Sequence, residues 1–449
     1  MTVTFNRRGV LGLGAAALLS TALPFRVNAQ SATPIRWMSW GGATNIKKMA
    51  DSVASQVPAI GNAFAIETID GGTGDQDVAA AIRLGLASGQ NLPDIAQLNR
   101  TQVAEFAASG ELLELNDIIG GADLYAGAKE LSKVGDTAVA FPFELKSKLF
   151  YYRKDLYDAA GVDLGSLDTV DGFIAAGKAL QEKAGTKIIN LGPQPAGYYL
   201  GELVSAYADS RFFADESGAF TVTTNPAFKD AFGFLKTLFD SNVTNKIDDW
   251  SSDWQPAIAD NKVASFLNAN WLKFFLPSFA PEQSGKWSVG LWPKLSPLAD
   301  QRYGSEAGGS VFVILKRAPN AAAAAEYLRK LLLEKEGAIA AYNAIGMTPL
   351  IKAARDEFLE KSRHPVKPEG MSDTDFALQP GNYFGPTFAE TELGSYDYVK
   401  VLKYDPAASK GLDIINQWLQ KHLAGTDLDT ALSSAQADME SQIGNPFDA

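Results

Sequence analysis

Few residues in this chain have the chemistry of a reactive centre, and their scarcity shapes the first argument. The 449 residues include no cysteine, which excludes disulfides, thiolate metal sites and cysteine nucleophiles. Histidine occurs only as His364, before a proline in a charged loop, and His422, at a helix end where its charge suits the dipole. Both are expected on the surface. No G-x-S-x-G turn presents a serine nucleophile. A glycosidase would need two carboxylates flanking a bond, and the sequence isolates no such pair among its many acidic residues. The turn Gly71-Gly72-Thr73-Gly74 lacks both the Gly-Lys-Ser/Thr of a phosphate loop and the Rossmann spacing. The expectation is a protein that is not an enzyme, with no cofactor and no metal.

What remains is a set of residues suited to holding a ligand. Trp40 ends a short strand, Ile35–Trp40, and is followed by Gly41, Gly42 and a helix over Asn45–Val57. Strand, glycine turn and helix open an α/β unit, and ligands sit at such carboxyl strand ends. Trp40 is therefore a stacking platform or a core tryptophan. A second strand covers Ala63–Ile69, and a helix with an apolar i, i+3/i+4 stripe covers Asp77–Ala87. A third strand ends at Gln97, Asn99 and Arg100, again placing hydrogen-bonding side chains where a polar ligand could lie.

The element that must position these residues is the stretch Ala138–Gly161. Pro142 interrupts an apolar run, Glu144, Lys146 and Lys148 follow, and Leu149–Tyr152 reads as a buried strand. A strand entered through a short polar crossing is expected of a hinge, here Phe143–Lys148. Beyond it the α/β pattern restarts. Asp168 and Thr169 offer N-caps to a helix reaching Leu180, and Asn225 offers one to a helix reaching Leu238. Lys187–Leu191, Phe220–Val222, Lys262–Leu267 and Trp287–Trp292 read as strands. The texture of the first half resumes after Arg302–Ser310, which implies a second crossing. The expected architecture is α/β with two lobes and a ligand cleft between them: residues 30–143 with 306–365, and residues 144–305 with 366–449.

Composition agrees with this plan. A hydrophobic fraction of 46% and a charged fraction of 20% suit a globular chain, and 449 residues can bury two cores. Residues 1–29 are set apart from the fold. Arg7 and Arg8 precede an apolar stretch, Val10–Leu23, too short for a span, and Val27-Asn28-Ala29 offers a small-residue cleavage site after Ala29. The segment resembles a twin-arginine export signal, so a soluble periplasmic protein is expected. Loss of its three arginines takes the net charge from −12 to about −15, which disfavours nucleic acid and anionic membranes as partners.

Several stretches, taken together and in order, resemble the carbohydrate-type extracellular solute-binding proteins of ABC importers, the maltose-binding-protein-like family. They are LPDIAQLN (92–99), ASGELLEL (108–115), FPFELKSKLFYYRKDLYDAAG (141–161), TVDGFIAAGKAL (169–180), TTNPAFKDAFGFLKTL (223–238), KVASFLNANW (262–271), GGSVFVILKRAPNAAAAAEYLRKLL (308–332) and IGMTPL (345–350). The resemblance implies a type II periplasmic binding fold that closes on a sugar and presents it to an inner-membrane permease, the binding protein itself acting as a monomer. Sugars offer apolar C–H faces to aromatic rings and hydroxyls to polar groups. The implied ligand set is Trp40, Gly41, Gly42, Gln97, Asn99, Gln194, Tyr198, Trp250, Trp254, Asn270, Trp271, Gly309, Ser310 and Tyr383. Trp271 leads it, as the tryptophan of the small-residue–Trp motif, the alternative being a core tryptophan.

One position departs from the family pattern. Four residues beyond the hinge proline, where sugar-binding relatives tend to carry an acidic residue, this chain has Lys146. A cation in the cleft favours phosphate, sulfonate or carboxylate on the ligand; a lysine paired with Glu144 or turned to solvent would not. A non-sugar solute such as a polyol, a glycerol phosphate ester or a polyamine is the other reading of the cleft. A polyamine or iron site would require clustered carboxylates, tyrosines or histidines.

Overall fold

The computed structural model describes residues 33–192, 199–200, 203–204, 213–215, 217–249, 251–295, 304–305, 309–367, 371–401 and 408–446. The expected export segment, Glu306, and the candidate ligand residues Gln194, Tyr198 and Trp250 lie outside them.

Eight strands build the two main sheets. In chain order they are β1 (Ile35–Ser39), β2 (Ile66–Asp70), β3 (Ile95–Asn99), β4 (Ala140–Pro142), β5 (Lys148–Arg153), β6 (Ser265–Ala269), β7 (Trp287–Leu291) and β8 (Ser310–Ile314). The first lobe's sheet has the order β2-β1-β3-β8-β4. β1, β2 and β3 run parallel, and β8 lies antiparallel between β3 and β4, pairing Ser310 with Asn99 and Val311 with Pro142. This register brings the ends of β1, β2, β3 and β4 and the start of β8 to one rim. α1 (Thr44–Gln56), α2 (Asp75–Ser88) and α3 (Arg100–Ala108) each leave that rim after a parallel strand, as connections between parallel strands require.

The sheet is sealed by aromatic packing and one buried carboxylate. Trp37 is fully buried, edge-on to Phe312 at 4.8 Å and to Tyr327 at 5.8 Å. Asp94, also fully buried, accepts from the backbone N–H of Arg36 (2.8 Å) and of Asn320 (2.9 Å). It thereby ties β1 to the turn that launches the helix Ala321–Leu333.

The second lobe is built on β6-β5-β7, all antiparallel, with Lys148 opposite Ala269 and Leu149 opposite Leu291. All six residues of β5 are buried. Alternation sends Phe150 and Tyr152 into one core, under the helices Val170–Ala184, Pro226–Asp240, Ala408–Leu423 and Leu428–Gln442. Leu149 and Tyr151 enter a smaller core on the opposite face, with Trp254, Trp287 and α4 (Leu272–Phe279). The expected strand at Lys262–Leu267 is displaced to Ser265–Ala269, because Val263 is used in a single bridge to Lys187. Phe220–Val222 forms only a bridge, Phe220 with Ala214. The expected caps Thr169 and Asn225 accept from Gly172 N and Ala227 N.

Two further expectations differ from the structure. His422 is buried rather than surface-exposed: its Nδ1 lies 2.8 Å from Thr426 O and its ring packs against Phe232. The segment after residue 365 does not belong to the second lobe alone. In α5 (Phe388–Ser395), Phe388 enters the small second-lobe core, whereas Ala389 and Leu393, with Tyr396 just beyond, pack into the first-lobe core.

Candidate functional site

β4 ends at Pro142 and β5 starts at Lys148, so the chain passes between the lobes in the five residues Phe143–Ser147. The Ser310 carbonyl accepts from the N–H of Phe143 (3.2 Å) and of Glu144 (3.1 Å), which anchors the crossing to the first residue of β8. On the other side, Asn270 N donates to Ser147 O (2.8 Å) and Asn270 Nδ2 to Leu145 O (3.1 Å).

A cavity of about 480 Å³ opens beside this crossing. Trp40, Gly41, Gln97 and Ser310 face it from the first lobe and Trp271 from the second, with Lys146 on the crossing between them. Six of the candidate ligand residues are thus brought to one space. Gln97 is buried, its Oε1 accepting from Ser39 Oγ (2.5 Å), which holds the amide in place. Trp271 is half-buried and edge-on to Phe275 at 5.5 Å. Lys146 Nζ lies 3.6 Å from Glu144 Oε2, an ion-pair separation but longer than a hydrogen bond.

Other candidates lie elsewhere. Trp254 is fully buried, edge-on to Phe279 (5.2 Å) and Phe266 (6.2 Å), so its faces are used by the core and not by a ligand. Tyr383 is fully buried as well; its hydroxyl donates toward Ala280 O (2.9 Å) and Leu276 O (3.2 Å) at the end of α4. Burial pushes its phenol well above the usual range. Asn270 spends its amide protons on the hinge, on Leu145 O and on Glu392 Oε1 (2.8 Å). Asn99 is the N-cap of α3, with its N–H donating to Gln102 Oε1 (3.0 Å), and does not line the cavity; neither do Gly42 and Gly309.

Sequence reasoning missed Asn45, Phe274, Phe275 and Met347 on the cavity wall. The signal for the two phenylalanines was present. They follow Trp271 at i+3 and i+4, so one helical face carries all three rings. Met347 sits in the IGMTPL stretch, where no spacing or side-chain chemistry distinguishes it from a core methionine. Also missed was the buried cluster at the hinge. Lys273 Nζ lies 2.8 and 3.1 Å from the two oxygens of Glu392, and Thr348 Oγ1 donates to Glu392 Oε2 (2.9 Å).

At the second lobe's rim, Lys148 is buried at the start of β5. The nearby Asp249 carboxyl is pushed up to about 7 by burial and by Asp248, against the opposing effect of Lys148. Among the described residues no three His, Asp or Glu side chains converge as a metal site would need, and no helix is long and apolar enough to cross a membrane.

Two α/β lobes with the cavity at their junction define the type II periplasmic-binding-protein fold. The chain belongs to the bacterial extracellular solute-binding proteins, whose family profile matches residues 61–366. Its relatives include a lactose-binding protein of Rhizobium radiobacter, 27% identical over 57% of this chain and 60% of that protein. An arabinooligosaccharide-binding protein of Halalkalibacterium halodurans is 24% identical over 80% of this chain and 79% of its own length. Among solved structures, the sugar-binding protein MalE of Xanthomonas citri superposes with a TM-score of 0.71 at 18% identity, covering 91% of this chain and 97% of that one. The binding protein of B. animalis subsp. lactis in complex with beta-1,6-galactobiose gives 0.70 at 21% identity over 91% and 97%.

Proposed function

We propose that this chain is the substrate-binding component of an ABC importer, capturing a sugar or sugar derivative in the periplasm and passing it to an inner-membrane permease. The observation that carries the reading is that one cavity takes its walls from both lobes, Trp40, Gln97 and Ser310 on one side and Trp271 and Phe275 on the other. A ligand touching both walls stabilises the closed arrangement by the contacts it makes only there, and the permease has a distinct shape to recognise. Aromatic rings beside amide and hydroxyl groups match the two faces of a pyranose. The names of the relatives support the same ligand class.

The cavity's chemistry separates this reading from its rivals. A polyamine would call for several carboxylates, and Glu144 is the one carboxylate on the wall among the described residues. The protein acts as a monomer and releases its ligand unaltered. A thermal-shift screen of the purified chain against lactose, arabinooligosaccharides, maltose, uronates and sugar phosphates tests the proposal, since a ligand selective for the native state raises Tm. Recovery of an unchanged sugar from the complex is the expected result. Stabilisation by polyamines alone, or chemical conversion of a bound sugar, overturns it.

A further inference from the structure

We infer that the cavity contains an anion subsite at the N-terminus of α1, so that the preferred ligand is a sugar bearing one acidic substituent: a carboxylate, phosphate or sulfonate. This rests on the reading of the cleft as a sugar site.

The first turn of α1 is open to the cavity. Gly41, Asn45 and Ile46 line the wall, so the helix begins there. Its N-cap is Ala43, which has no side-chain oxygen to cap with, and the first turn contains no acidic residue. The 3-10 turn Gly41–Ala43 leads directly into α1; the first-turn N–H groups have no partners within α1 itself, and the aligned peptide dipoles place positive potential at this end. The chain reaches this point through three successive left-handed residues, Gly41 (φ 68°), Gly42 (φ 70°) and Ala43 (φ 52°).

A second observation points to the same spot. The Ser310 side chain is fully buried, faces the same cavity, and its Oγ has no hydrogen-bond partner. A buried hydroxyl left unpaired costs about 1–3 kcal/mol, and a ligand oxygen supplies the missing acceptor. Gln97 lies on the same wall with its Oε1 already taken by Ser39, which leaves its amide N–H groups to donate. Among the described residues the charged side chains of the wall are Lys146 and Glu144, 3.6 Å apart, and they cancel. The helix terminus then sets the sign of the local potential. The rings of Trp271 and Phe275 stand ready for the apolar face of the same ligand.

Calorimetry on the purified full chain with matched pairs tests the subsite: glucose against glucuronate, glucose 6-phosphate and 6-deoxy-6-sulfoglucose, and galactose against galacturonate, with lactose as a neutral reference. The expected result is that an acidic member binds about tenfold or more tightly than its neutral counterpart. Asn45→Asp places a carboxylate in the first turn, which favours the helix while repelling an anion. It should abolish the preference and not lower Tm; Ser310→Ala and Lys146→Met should reduce the preference. Neutral members binding as well as or better than acidic ones in every pair overturns the subsite and leaves the sugar reading standing. A preference that survives Asn45→Asp also overturns it. Failure of every sugar, acidic or neutral, to bind overturns both.

Discussion

Lys273 and Glu392 form an ion pair that is removed from water at the junction of the lobes, Nζ lying 2.8 Å from Oε1, with exposures of 4% and 0%. Lys273 belongs to α4 in the second lobe. Glu392 lies on α5, which packs into both cores, and Thr348, bonded to both charges, follows Met347 of the first core. Every acceptor and donor in the cluster is committed, so the pair fixes the relation of three segments that meet at the hinge.

Removing one charge should therefore be costly. Lys273→Met or Glu392→Gln leaves the other group buried without its partner, and about 3 kcal/mol of stability should be lost. Replacing both with apolar residues should recover much of it. Urea denaturation of the two single variants and the double variant measures the difference; equal losses in all three would deny that the pair acts as a unit.

Trp271→Ala should weaken ligand binding by about 2 kcal/mol while leaving the melting temperature of the free protein little changed, because its ring is half-buried and stands on the cavity wall. Calorimetry on the ligand found by the screen, beside a melting curve, checks both halves of the statement.

Tyr383→Phe should do the reverse. It removes a buried hydroxyl that serves Leu276 O and Ala280 O, so stability should fall by about 1 kcal/mol with binding intact. A loss of affinity without a loss of stability would return Tyr383 to the binding surface.

Asp249 makes a pH-dependent prediction. Its folded value near 7 lies above the ordinary 3.8, so across that interval the native state holds a proton that the unfolded state has lost. Its contribution to stability is greatest at low pH and is lost as pH rises from about 4 to 7. Asp249→Asn should raise Tm by a few degrees at pH 8 and change it little below pH 4. Melting curves across that range test it, and an unaltered pH profile would contradict the assignment.

The lobes, the first crossing and the rim of strand ends were legible in the sequence because each rests on local pattern: apolar runs, glycine turns and N-caps. The site was legible only in part, and the tryptophans show why. Trp254 and Trp271 both open helices in the same lobe. One is enclosed by Phe266 and Phe279, the other stands at the cavity, and that difference arises from which elements fold over each. Asn270 fails as a ligand candidate for the same reason. Its partners, Leu145 and Glu392, lie more than a hundred residues away on either side, and nothing local announces them.

The placement of α5 has a consequence for biogenesis. The first lobe's core lacks Ala389, Leu393 and Tyr396 until nearly the whole chain has emerged from the ribosome. The first lobe thus cannot complete its core until most of the second lobe's chain has been made, while the second still awaits the helices Ala408–Leu423 and Leu428–Gln442, so the order is not simply one domain after the other as they emerge. Both cores are completed only by segments from the last quarter of the chain.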